Sequence, residues 1–174
     1  MNTDILYTKT VYDRLIKASD HEDADAYLKH LVLELTQNEV FLAKPKYFEL
    51  LLRVVLGYCR LHFEDNQQLL NKLSLKLAKV KTTLGQPISA AIILKILFYL
   101  TDKNDYASRA VYFSELGSIY LSLDRPRRAE RYKAAAIRSL SKSEKTSKKQ
   151  LLRLFTERAE TLFKQKKFEE AEAW

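Results

Sequence analysis

Cys59 and His62 stand three residues apart in "YCRLHFED", on one face of the segment if it is helical, with Glu64 and Asp65 just beyond. A thiol beside an imidazole could be a nucleophile with its base, and the same set could form half of a metal site. Completing a site needs a second Cys/His pair, and the chain holds none. Cys59 is the single cysteine, while His21 and His30 are isolated. The pair therefore reads as a buried cysteine and a helix-end histidine. No glycine-rich phosphate loop, glycine-flanked serine or His–Glu–His zinc motif occurs. The expectation is a protein that is not an enzyme and needs no metal or cofactor.

The second chemistry available is positive charge. The net charge of +8 is unevenly placed: residues 1–124 carry 15 basic and 15 acidic side chains, whereas residues 125–167 carry 15 basic and 4 acidic ones. A localised positive field points to an acidic partner more strongly than an even spread does. Its candidate binding residues are Arg127, Arg128, Arg131, Arg138, Lys145, Lys148, Lys149 and Arg153.

These side chains must be positioned by helices. Three glycines and three prolines in 174 residues are too few for the turns of a sandwich or barrel, and apolar residues recur at three- and four-residue spacing almost throughout. About nine helices are expected. They begin near Asp4, Ser19, Pro45, Asn66, Ile88, Tyr106, Arg125, Ser147 and Lys167. Pro45 suits a first helical turn, and "LGQP" should end the fourth helix, with Gly85 left-handed and Pro87 blocking continuation. The most apolar stretch, Ile88 to Leu100, is too short to span a bilayer and contains Lys95, so it is expected to be a buried helix. No secretory signal stands at the N-terminus, and one cysteine suits a reducing compartment, so an intracellular protein, cytoplasmic or nuclear, is expected.

Gly117 is out of place in this scheme. Inside a helix, glycine costs about 1 kcal/mol relative to alanine, so something must approach the backbone there. "FSELGSIYLSLDRPRRAERYKAAA" aligns with "FTERAETLFKQKKFEEAEAW" at a spacing of 42, matching Phe113 with Phe155, Gly117 with Ala159, Tyr120 with Leu162 and Ala129 with Ala171. Within the first unit, Phe113, Leu116, Gly117, Tyr120, Ala129, Tyr132 and Ala136 resemble the tetratricopeptide repeat. Four features depart from that pattern: the long spacing, Arg158–Ala159 in place of Leu–Gly, Lys133 where an aromatic is common, and Ser141 where proline often closes the unit.

The resemblance implies an all-α superhelix of antiparallel hairpins, a tetratricopeptide-like solenoid, in which the second helix of the unit crosses Gly117. The chain then reads as a single helical-repeat domain over 1–174. A capping helix at 1–18 is followed by hairpins at 21–63, 66–102, 105–141 and 147–174, the last truncated. "FEEAEAW" stops within an amphipathic helix, so an N-terminal portion of a longer protein is expected. A competing phase is set by "VLGYCRL", where Leu56–Gly57 looks like Leu116–Gly117; the regular phase is favoured.

The resemblance also implies a concave groove lined by Val111, Ser114, Glu115, Ser118 and Ser122, then Arg153, Thr156, Glu157, Glu160 and Lys164, and it places the arginines on the convex side or an edge. Glu115 and Glu157 would repel a chaperone's C-terminal carboxylate. The expected function is a scaffold or adaptor that binds another protein, with an acidic segment suited to the basic edge and no membrane involvement. Nucleic-acid binding through residues 125–167, or service as the non-catalytic arm of a larger enzyme or complex, are the alternatives.

Overall fold

Side chains and turns next to the helices fix where they start and stop. Asn66 accepts a hydrogen bond from the Leu69 N–H at 3.2 Å, and Asp105 accepts one from the Ser108 N–H at 3.0 Å. Each satisfies a donor that the first helical turn leaves unpaired. The computed structural model describes residues 44–62, 66–143 and 148–165, together with the single positions Thr10, Asp13 and His30. Six helices follow in order: α1 (Pro45–His62), α2 (Gln67–Thr83), α3 (Pro87–Leu100), α4 (Tyr106–Ser122), α5 (Pro126–Leu140) and α6 (Lys148–Lys164). They match the expected third to eighth helices. Apart from Thr10, Asp13 and His30, the expected first, second and ninth helices lie outside the described residues, so the expected count of nine is not supported. No described helix is long and apolar enough to cross a membrane.

The chain divides into two compact units, Met1–Gln86 and Pro87–Trp174. The division falls within the span expected as a hairpin over 66–102.

In the first unit α1 packs on α2. Phe48, Leu51, Leu52, Val55, Leu56 and Cys59 of α1 are buried, as are Leu73, Leu77, Ala78 and Val80 of α2. Glu49 and Lys81 join the two helices through an ion pair of 2.6 Å. After α2 the Gln86 N–H bonds the Lys81 carbonyl at 2.8 Å and the Gly85 N–H bonds the Thr82 carbonyl at 3.0 Å. This pattern needs a left-handed residue between the two bonds, and Gly85 provides it at φ +70°. Gly57 is exposed, with open space where a Cβ would stand. Leu56–Gly57 therefore does not mark a close helix crossing, despite its likeness to Leu116–Gly117.

In the second unit α3 packs on α4, α4 most extensively on α5, and α5 on α6. The turn between α4 and α5 repeats the geometry seen after α2, with Arg125 N–H to Tyr120 carbonyl at 2.9 Å and Asp124 N–H to Leu121 carbonyl at 3.1 Å. Here Asp124 takes the left-handed position at φ 53°. A core of Ala110, Ala136, Ile137, Leu140 and Leu154, with Phe113, Leu151 and Phe155 against it, joins α4, α5 and α6. The expectation that α3 is a buried helix is corrected: Ala90, Ala91, Leu94 and Leu97 are buried, but Ile88, Ile92, Ile96, Tyr99 and Leu100 are 51–83% exposed. Its apolar residues surround the whole helix, and the side turned toward α4 can bury just one stripe of them.

Cys59 is fully buried in the α1 core, and burial pushes its thiol up from 9.0 to about 11. At neutral pH this leaves about 100-fold less thiolate than an exposed cysteine has. Native protein should react with a disulfide reagent at least about 100-fold more slowly than the same chain in denaturant; equal rates would show Cys59 to be accessible.

Candidate functional site

α5 carries two sets of residues on opposite sides. Its sequence "PRRAERYKAAAIRSL" starts on Pro126, whose missing N–H is harmless in a first turn. Ala129, Lys133, Ala136, Ile137 and Leu140 face inward and are buried. Arg127, Arg131 and Arg138 are exposed. At about 100° per residue these three arginines fall within about 40° of one another, on the side away from the core.

Lys133 is the unexpected member of the inward set. It is 2% exposed, and its ammonium donates to Ser118 Oγ at 2.9 Å and Ser114 Oγ at 3.4 Å, and pairs closely with Glu157 Oε2. Ser114 Oγ donates to the same carboxylate oxygen at 2.8 Å, and Arg153 Nε donates to Glu157 Oε1 at 2.9 Å. Three helices therefore meet at one charge pair.

That geometry explains Gly117. A Cβ built there would stand 2.9 Å from Lys133 Cγ and Cε and 3.0 Å from Cδ. The lysine stem lies flat on the α4 backbone, held at its base by α5 and at its tip by Glu157. The expected crossing of α5 over Gly117 is present, and the group pressed against the glycine is the Lys133 side chain.

Burial alone would raise the Glu157 carboxyl. The Lys133 hydrogen bond and charge, with Ser114 and Arg153, outweigh it and hold the group below its ordinary value of 4.5. A second pair joins α5 to α6: Arg158 Nη2 and Nε donate to Glu130 Oε1 at 2.8 and 3.1 Å. Glu130 of α5 and Glu157 of α6 are thus both engaged by partners within the protein. Among the described residues, no carboxylate pairs with Arg127, Arg131 or Arg138.

The remaining expected positions are placed as follows. Leu116, Gly117, Tyr120, Ala129 and Ala136 are buried, while Phe113, Tyr132, Phe155 and Ala159 are half-buried. Tyr120 and Tyr132 stack with centroids 5.2 Å apart, and Phe113 links Tyr132 at 6.2 Å to Phe98 at 4.8 Å. Arg128 lies over the Tyr120 ring at 5.8 Å. Lys148 and Lys149 are exposed at the start of α6. Arg153 is exposed but occupied by Glu157. Lys145 and Ala171 lie outside the described residues. In the expected groove, Glu157 is not a free carboxylate, because Lys133 reaches it from beneath.

Reading the sequence missed the roles of Lys133, Glu157, Glu130 and Arg158. The signal was present: Lys133 shares the inward register of Ala129, Ala136 and Leu140, and a lysine buried there requires a carboxylate on a neighbouring helix. For metal chemistry, no group of three or more His, Cys, Asp or Glu is placed to hold an ion among the described residues. The His62 side chain lies outside them.

Gly117→Ala should destabilise by about 1–3 kcal/mol by forcing the lysine stem aside. In a Lys133→Ala background the same change should instead stabilise, by up to about 1 kcal/mol, because helix propensity alone then acts. Urea unfolding of the four proteins measures this, and an unchanged sign would refute the packing account.

Glu157→Gln should cost about 3 kcal/mol at neutral pH, since it leaves a buried ammonium without its counter-charge. The folded carboxyl titrates below its unfolded value, so its contribution is complete above pH 4.5 and disappears as pH falls through the lowered folded value. The stability gap between wild type and Glu157→Gln should therefore close on acidification. A gap constant down to pH 3, on the order of a unit or more below the ordinary carboxylate range, would show that the pair is not what separates them.

Comparison with family models finds none that matches this chain, and no curated protein matches its sequence.

Proposed function

We propose that this chain is an interaction scaffold, a degenerate tetratricopeptide-like array of helical hairpins whose basic edge engages another protein. The observation that carries this reading is the outer face of α5, where exposed arginines stand in line while Glu157 and Glu130 are engaged by Lys133 and Arg158. Sequential helix packing supports it, as does the α4–α5 hairpin, which buries Leu116, Gly117, Tyr120, Ala129 and Ala136 at the positions where the repeat pattern places small and apolar residues. In such an array α4 and α6 are the groove-lining helices and α5 is the outer one. The unneutralised charge then steers encounter and sets orientation, while apolar contacts supply most of the affinity.

Nucleic acid would also be attracted to this face. Sequence-tolerant binding of single strands, however, depends on exposed aromatic platforms. Tyr120 and Tyr132 are instead stacked on one another, and of the described rings in residues 125–167 Phe163 alone is exposed.

The test is affinity capture with the full chain from nuclease-treated extract, with chemical crosslinking. The expected result is a discrete protein retained at near-equal molar amount with crosslinks to described surface lysines such as Lys148 or Lys149. Capture of material that nuclease removes, or of no protein at all, would overturn the scaffold reading.

A further inference from the structure

We infer that the arginine stripe of α5 is a docking ridge for an acidic helical segment of a protein partner, one that presents carboxylates on a single face at the spacing of Arg127, Arg131 and Arg138. This deepens the scaffold reading and rests on it.

Three observations lead there. First, the stripe is straight. Residues four and eleven apart return to nearly the same side of an α-helix, so the guanidiniums form a row spanning about 16 Å along the axis at 1.5 Å per residue. A partner helix lying alongside repeats the same intervals, and carboxylates at i, i+4 and i+11 would meet all three.

Second, among the described residues no carboxylate pairs with the row. Glu130 on α5 itself is held by Arg158, and Glu157 on α6 is held by Lys133 and Arg153. Arg128 borders the stripe but lies over the Tyr120 ring, and Lys142 lies over the Tyr106 ring at 5.9 Å. Neither ring contact neutralises its cation, so both add to the field without competing for the row.

Third, the residue type is arginine at each position of the row. A planar guanidinium offers paired donors that match a carboxylate, where lysine offers a point charge. The same chemistry would hold a phosphate. A single strand, however, gains from ring stacking, and a duplex backbone is best met by cations flanking a groove, whereas this row lies along a single helix ridge.

The test uses the full chain and a fluorescein-labelled, Ala-based helical peptide of about 20 residues, long enough to hold helical structure. Glutamates stand at i, i+4 and i+11. A second peptide of identical composition disperses the glutamates around the helix, and a single-stranded and a duplex oligonucleotide serve as further probes. Binding is read by anisotropy at about 50 mM and about 300 mM salt, between which the Debye length falls by about 2.5-fold.

The expected result is that the in-line peptide binds at least about fivefold tighter than the dispersed one and weakens at high salt. The Arg127→Glu/Arg131→Glu/Arg138→Glu chain should lose about tenfold or more, and the corresponding triple Arg→Gln chain a smaller amount. All three positions are exposed, and circular dichroism of both variants checks that the helices persist. Equal binding of the two peptides would overturn the proposal, as would undiminished binding by either variant or tighter binding of an oligonucleotide than of the in-line peptide at the same salt.

The two readings fail differently. If the triple-Glu chain still captures the partner that wild type captures, the ridge is wrong and the scaffold stands. If wild type captures none, the scaffold reading itself falls.

Discussion

A lysine ammonium almost fully removed from water is tolerable only beside a carboxylate, and in this protein that requirement orders the α4–α5–α6 region. Lys133 leaves α5, runs along the α4 backbone and ends on Glu157 of α6, with Ser114 and Ser118 of α4 satisfying the remaining donors. The route exists because position 117 has no Cβ. One missing methyl group, one stem and one carboxylate thus fix three helices against each other, and the apolar core of Ala110, Ala136, Ile137, Leu140 and Leu154 fills the space alongside.

The same pairing shapes the surface. Residues 125–167 carry 15 basic and 4 acidic side chains, and two of those acids, Glu130 and Glu157, are spent on inward or interhelical partners. In a region already short of negative charge, two of its carboxylates are thereby occupied. The exposed arginine row is the external consequence of an internal arrangement.

Local chemistry was legible in the sequence because it acts over a few residues. Asn66, Gly85, Pro87 and Pro126 mark helix ends through hydrogen bonds and dihedral limits that involve neighbours in the chain, and the six described helices begin and end close to where those residues place them. Long-range features were not. Leu56–Gly57 and Leu116–Gly117 are the same two letters, yet Gly57 looks onto open space and Gly117 onto a lysine stem, a difference set by another helix. In α3, apolar residues on all sides erase the periodicity that would tell a buried face from an exposed one, so the exposure of Ile88, Ile92 and Ile96 could not be foreseen. Lys133 stood out as a departure from the tetratricopeptide pattern because its partner lies 24 residues away.

Two of the departures from the tetratricopeptide pattern, Lys133 and Arg158, share a role. Lys133 stands where an aromatic is usual and Arg158 where leucine is usual, and each finds a glutamate across the α5–α6 seam. The inward face of α5 is rich in alanine, which packs closely but offers little shape to resist sliding by a turn. Ion pairs add little net stability when both charges leave water, but they are intolerant of misplacement. A seam built on Glu130–Arg158 and Lys133–Glu157 therefore holds the register of α5 against α6 where alanines alone would not. That arrangement also leaves Arg127, Arg131 and Arg138 exposed together on the opposite side of α5, so the interhelical ion pairs and the outer arginine row both follow from how one small-residue helix is locked in place.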